Sequence, residues 1–274
     1  MPTFADFKAE MADSHARVVA RCLAELAELG MSAAGLAYVR ELRGYPRTPY
    51  YATLWVRDPR ARRAIGEGLG VHAVGVKLLD DLIDGDTPLG PRDQIFGAHL
   101  IMLGAALLAG RERPADVLAA LVADYRDIWR QEVVEVTAPH PATLDAWLAA
   151  ARIKAGVMIA NYAALACLAG GAPDGVPRAR SFGEALGVLY MIGDDVTDFD
   201  DGERAGNLVH LVATGRVDRA ALAAAIGGWR DRAAAAAAGT VCDPVPFLDH
   251  FAAKLRDLVA DRTTAPPAAA AALR

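Results

Sequence analysis

Only three of the 274 residues are cysteine, only 7% are aromatic, and no segment sustains the period-two alternation of a half-buried strand. The cysteines, Cys22, Cys167 and Cys242, are odd in number, widely spaced and set in apolar helical pattern. That argues against a disulfide framework and for reduced, buried thiols. No run of lysine or arginine resembles a nucleic-acid footprint, and the net charge of −5 removes nucleic acid from the expected partners. The N-terminus, MPTFADFKAEMADSHARVVA, lacks the basic-then-apolar order of a signal peptide. No stretch reaches the ~18 uncharged apolar residues of a membrane span. A cytoplasmic location is expected, with membrane contact at most peripheral.

What is there is apolar and rich in alanine, a strong helix former: 54% of residues are hydrophobic and 23% charged. Apolar residues at helical spacing predict helices over about 5–29, 33–42, 59–84, 93–108, 114–134, 143–169 and 181–198, a further one capped by Asp218, and a last one from Pro244 to about Arg262. Gly44-Tyr45-Pro46-Arg47-Thr48-Pro49 reads as a turn, because two prolines interrupt it. The fold class is all-α, a single helical domain over 1–262 with a disordered low-complexity tail over 263–274.

The acidity is concentrated in two places. Asp80, Asp81, Asp84 and Asp86 form one, and Asp194, Asp195, Asp198, Asp200, Asp201 and Glu203 the other; without them the net charge would change sign. Each begins as DDxxD at the end of an apolar helix, so Asp80 and Asp84, and again Asp194 and Asp198, share a helix face at i and i+4. Like charges at that spacing repel, and acids at a helix C-terminus oppose its dipole, so local stability does not select the pattern. If the two helices face each other, the carboxylates offer an all-oxygen site for hard cations such as Mg²⁺, which retain water and bind phosphate. An EF-hand does not fit, because Gly202 comes one place early after Asp198 and no Glu closes the loop.

Paired DDxxD helices in an all-α chain resemble the trans-isoprenyl diphosphate synthases and class I terpenoid synthases. Three longer stretches, LRGYPRTPYYATLWVRDPRARRA, VKLLDDLIDGDTPL and DDVTDFDDGERAGNLVHLVATGRV, are similar to the moenomycin-type prenyltransferases within that superfamily. The resemblance covers about 42–217. It implies a helical bundle with a central prenyl-binding cavity and three Mg²⁺ ions holding a prenyl diphosphate. Asp80, Asp84, Asp194 and Asp198 would be the catalytic metal ligands, with Asp81 and Asp195 in supporting metal roles. The implied reaction ionises an allylic diphosphate, geranyl in the first instance, and joins the prenyl group to a lipid acceptor of the phosphoglycolipid type. A homodimer is also implied.

Further candidates stand beside alternatives. Lys77 either contacts diphosphate or pairs with Asp81, three and four residues before the cluster as it is. Lys154 and Gln131 match diphosphate-binding positions of the wider family, and Arg204 either closes over the leaving group or is an exposed loop charge. His99, Asn161 and Tyr162 on apolar helices are hydrogen-bonded core residues or cavity lining. Met158 and Tyr190 are core or cavity, with Tyr162 and Tyr190 the aromatic faces that would favour a carbocation. The segments 44–49 and 85–89 lack most of the cations that chain-elongating synthases use for isopentenyl diphosphate. Arg40, Arg43 and Arg47 remain for a differently charged acceptor. Two alternatives to the transferase are a terpene cyclase, against which the all-Asp second motif counts, and a non-catalytic partner of another prenyl synthase.

Overall fold

The computed structural model describes residues 2–264 other than Arg43, Tyr45, Asp86, Ala138 and Glu203, and excludes the side chains of Thr264 and of eight α5 residues, Gln131 among them. Among the described residues there are eleven α-helices, short 3₁₀ turns and one π turn, and no strand, which is the expected all-α class. The chain divides into two compact units. The first holds the chain up to Tyr125 with Asn161–Arg180 and Gly239–Asp243, and the second holds Arg126–Ala160, Ser181–Ala238 and the chain from Pro244 onward.

In the first unit α1 (Phe4–Glu28) starts where the Thr3 hydroxyl accepts from the Asp6 N–H and the Asp6 carboxylate accepts from the Thr3 N–H. Such a reciprocal cap stabilises a helix start by ~1 kcal/mol. α2 (Ala33–Glu41) follows. The proline-interrupted segment then continues into a 3₁₀ helix, Thr48–Trp55, whose Tyr50, Leu54 and Trp55 are buried. α3 (Pro59–Asp84) is capped by Asp58, which accepts from the Arg60 and Ala61 N–H groups, and closes on Gly85 in the left-handed conformation. Its Arg62, only 2% exposed, donates twice to Glu10 and once to the Val56 carbonyl, so the buried charge is both paired and hydrogen-bonded.

α4 (Gln94–Ala109) packs on α3 through glycines at a seven-residue spacing on both helices. A Cβ on Gly75 would lie 2.7 Å from the Gly97 carbonyl oxygen, and one on Gly104 would lie 2.8 Å from that of Gly68. No side chain fits there, which is why α3 carries Gly68 and Gly75 on the face that meets α4. Val18, Cys22, Leu26, Val71, Leu78 and Leu100 form the core of this unit, each large aliphatic worth ~1.5–3 kcal/mol on burial.

α5 (Pro114–Thr137) leads into the second unit, which holds α6 (Leu144–Ala151), a π turn (Arg152–Gly156) and the start of α7 (Val157–Ala169). The sequence predicts one helix across 143–169, so the π turn is a departure. Its cause is packing against α8 (Val176–Asp201): a Cβ on Gly187 would lie 2.3 Å from the Ala155 carbonyl oxygen, so the two backbones touch there. α8 also begins five residues earlier than expected and extends three further. α9 (Leu208–Ala213) was not predicted, α10 (Arg219–Ala236) is capped by Asp218 as expected, and α11 (Val245–Thr264) ends two residues later than 262. Residues 265–274, the rest of the expected tail, lie outside the described residues. Leu189, Ile192, Leu208, Leu211, Ile226, Leu255 and Val259 form this unit's core.

All three cysteines are free and buried. Burial pushes the Cys22 and Cys167 thiols up to about 12 and Cys242 up to about 11, so they are inert. The segment Leu144–Ala169 does reach spanning length by average hydropathy, contrary to expectation, because averaging outweighs Arg152 and Lys154. Its most apolar window is 67% buried inside the protein, as in a core helix.

Candidate active site

The first acid cluster occupies the last turns of α3. Asp80 and Asp81 both accept from the Lys77 ammonium, at 2.9 and 2.6 Å. Asp81 is only 3% exposed and also accepts from the Tyr38 hydroxyl on α2. Asp80 is partly exposed and Asp84 exposed. The pairing of Lys77 is the ion-pair alternative of the sequence reading, extended to a second acid.

The second cluster lies on α8. Asp195, 7% exposed, accepts from the Trp147 indole N–H at 2.9 Å and from the Leu208 backbone N–H, while its own carbonyl accepts from the Asn207 amide at 2.7 Å. The Asn207 side-chain oxygen accepts from the His210 N–H and so caps α9. Asp194 is exposed and Asp198 half-buried. Further along, Asp200 accepts from the Arg262 guanidinium, which holds its carboxyl below the usual carboxylate range.

Both clusters therefore bury the middle acid in hydrogen bonds and leave the i, i+4 pair more accessible, Asp80 and Asp198 partly exposed and Asp84 and Asp194 exposed. Among the described residues no three His, Cys, Asp or Glu side chains converge as a complete metal centre. The outer pairs nevertheless fit Mg²⁺ by donor chemistry: they are carboxylate oxygens few in number, and that ion takes one or two carboxylates and fills the rest with water and phosphate oxygens.

The cationic candidates are dispersed. Lys154 is half-buried in the π turn, a feature that recurs at functional sites. Its neighbour Arg152 donates to Glu184, which also accepts from Arg232. Arg204 donates to the Phe199 carbonyl at 2.8 Å and lies 4.2 Å over the Phe199 ring. Arg40 on α2 and Arg47 at the start of the 3₁₀ helix are exposed. Arg43 and the Gln131 side chain lie outside the described residues.

Of the cavity candidates, Tyr162 is 1% exposed with its hydroxyl 3.1 Å from His72 Nδ1, and Asn161 accepts from Arg180. Both are hydrogen-bonded core residues. Met158 is half-buried, Tyr190 packs against Phe251 at 5.2 Å, and His99 lies 3.3 Å from Glu25. Tyr38, Trp147 and Asn207, the residues that hold the middle acids, were not singled out for that role. Only Asn207 left a sequence signal, an N-cap residue before the apolar LVHLV.

No family sequence model matches the chain, and no curated protein does. Solved structures match over nearly its whole length. A decaprenyl diphosphate synthase from Rhodobacter capsulatus shares 20% identity at a TM-score of 0.61, over 91% of this chain and 98% of that one. A geranyltranstransferase from Methanosarcina mazei shares 19% at 0.59, over 90% and 97%. A geranylgeranyl pyrophosphate synthase from Lactobacillus brevis shares 18% at 0.58, over 94% and 86%. Similarity at this identity is similarity of fold: the chain has the all-α fold of the isoprenyl diphosphate synthases.

Proposed function

We propose that the protein is a Mg²⁺-dependent prenyltransferase that ionises an allylic prenyl diphosphate, geranyl first, and transfers the prenyl group to a non-isopentenyl lipid acceptor of the phosphoglycolipid type. One observation carries it. In a chain with this fold, two helices end in the same DDxxD, and each buries its middle acid while leaving the outer pair at least partly exposed. Mg²⁺ on Asp80, Asp84, Asp194 and Asp198 would neutralise the leaving diphosphate. The residues' own work is positional. Tyr38 and Lys77 fix Asp81, and Trp147 and Leu208 fix Asp195, so each outer pair sits on a helix end that cannot rotate freely. Loss of diphosphate leaves an allylic cation, the acceptor's alkene supplies the electron pair for the new C–C bond, and a proton leaves.

The non-isopentenyl acceptor is favoured by the sparse cations of 44–49 and 85–89, where a second diphosphate would be poorly neutralised. A homodimer, also proposed, has a fitting surface in the first unit. Ile95 and Met102 on α4 and Leu118 and Val122 on α5 are all close to half exposed or more, apolar surface of the kind a second copy covers. A cytoplasmic location with peripheral membrane contact accords with a lipid acceptor. The test is incubation with Mg²⁺ and geranyl, farnesyl or geranylgeranyl diphosphate, alone and with a farnesylated phosphoglycolipid, read by mass spectrometry and diphosphate release. A product one prenyl unit heavier, formed only with acceptor, supports the transferase. A hydrocarbon or alcohol from donor alone makes the protein a cyclase.

A further inference from the structure

Directly after the second acid cluster the second unit carries a concavity of quite different character. It is an open hollow of about 350 Å³ whose wall includes Arg204, Arg216, His140 and His210, with no carboxylate among the described residues that line it. Cationic donors thus converge beside the most acidic segment of an acidic chain.

The sequence builds the hollow deliberately. Asp195 holds Asn207 and Leu208, and that anchor fixes the loop carrying Arg204 and Gly206. Gly206 adopts φ +73°, and a Cβ there would lie 3.2 Å from His140, so the loop lies directly on the Pro139-His140-Pro141 turn. Arg204 is held on the wall by the Phe199 carbonyl and ring. His210 sits in the first turn of α9, and Arg216 follows that helix's last turn, where its N–H donates to the Leu211 carbonyl.

We propose that this hollow binds an oxyanion, a phosphate or carboxylate, carried by the head group of the acceptor; the assignment to the acceptor rests on the transferase reading above. Two guanidiniums and two imidazoles are all donor-capable, and arginine forks match phosphate and carboxylate oxygens. The missing carboxylates matter as much. A departing diphosphate takes metal held by acids to carry its charge, and this hollow has no carboxylate among its described lining residues to hold one. The hollow therefore suits the partner that keeps its phosphate through the reaction.

The test titrates inorganic phosphate into the full chain, at constant ionic strength made up with chloride, while the histidine ring nitrogens are followed by NMR. Saturable shifts at His140 and His210, with the remaining histidines still, are expected. Arg216→Gln, at an exposed position, should weaken the phosphate affinity about tenfold, the usual size of one lost charge-assisted contact. His140→Gln should weaken it too, and circular dichroism checks that each variant is folded. A second titration is made with Mg²⁺ and geranyl S-thiolodiphosphate, a donor analogue that does not ionise, already bound. Unchanged phosphate affinity supports the acceptor assignment, and displacement of phosphate by the analogue gives the hollow to the donor and overturns it. Non-saturable shifts, or equal affinity in the wild type and both variants, overturn the site itself. If the wild type releases diphosphate from no allylic donor, the transferase reading fails on its own, and the phosphate titration still decides whether the site exists.

Discussion

The acid clusters of α3 and α8 share a sequence pattern and are held by different means. On α3 the buried Asp81 is met by a cation one turn back on its own helix, Lys77, and by the Tyr38 hydroxyl of α2. On α8 the buried Asp195 accepts from an indole N–H and a backbone N–H and fixes the start of α9 through Asn207. The result is the same in both, a fixed middle acid and an i, i+4 pair that is more accessible. Two independent solutions to one placement indicate that the placement is what was selected, because neither cluster is favoured by helix electrostatics.

The largest expected effect lies in the outer acids. Asp80→Asn and Asp194→Asn should each lower kcat for diphosphate release about 10³-fold, the scale of a lost transition-state contact, with melting temperature nearly unchanged. Equal loss from both would tie the clusters to one reaction, and loss from one alone would break the parallel. The middle acids should behave in the opposite way. Asp195→Ala removes a buried acceptor from two donors and should cost about 3 kcal/mol in urea unfolding, whereas Asp81→Ala, whose partner Lys77 keeps Asp80, should cost about 2 kcal/mol.

Acid sensitivity separates the two helices further, since α3 carries His72 and α8 has no histidine. Burial pushes the His72 imidazole down to about 4 from its ordinary 6.5. The unfolded chain binds that proton first, so the contribution is whole above pH 6.5 and is lost as pH falls toward 4, by about 3 kcal/mol in all. Urea unfolding at pH 7 and pH 4.5 should show that slope in the wild type and a flatter one in His72→Gln. The smallest effect belongs to Arg262→Gln. Its ion pair with Asp200 is exposed on the acid side and should contribute no more than about 0.5 kcal/mol, measured by thermal unfolding.

Much of this was legible in the residues. The helical class, the α10 cap at Asp218 and both DDxxD helix ends follow from local pattern, where period and capping act within a few residues. The π turn was not, because Arg152–Gly156 has the composition of ordinary helix and is shaped by Gly187, thirty residues on. α9 escaped because six residues make too few turns to show a period. Tyr38 and Trp147 carried no signal, since each meets its acid across more than forty residues of chain. The same distance explains why the acids were found and their supports were not.

The most direct measurement is diphosphate release from geranyl diphosphate, with Mg²⁺ and a farnesylated phosphoglycolipid acceptor, by the wild type, Asp80→Asn and Asp194→Asn side by side. Release that needs Mg²⁺ and collapses in both variants is the predicted result. Wild-type release from either variant would contradict the shared role of the two clusters.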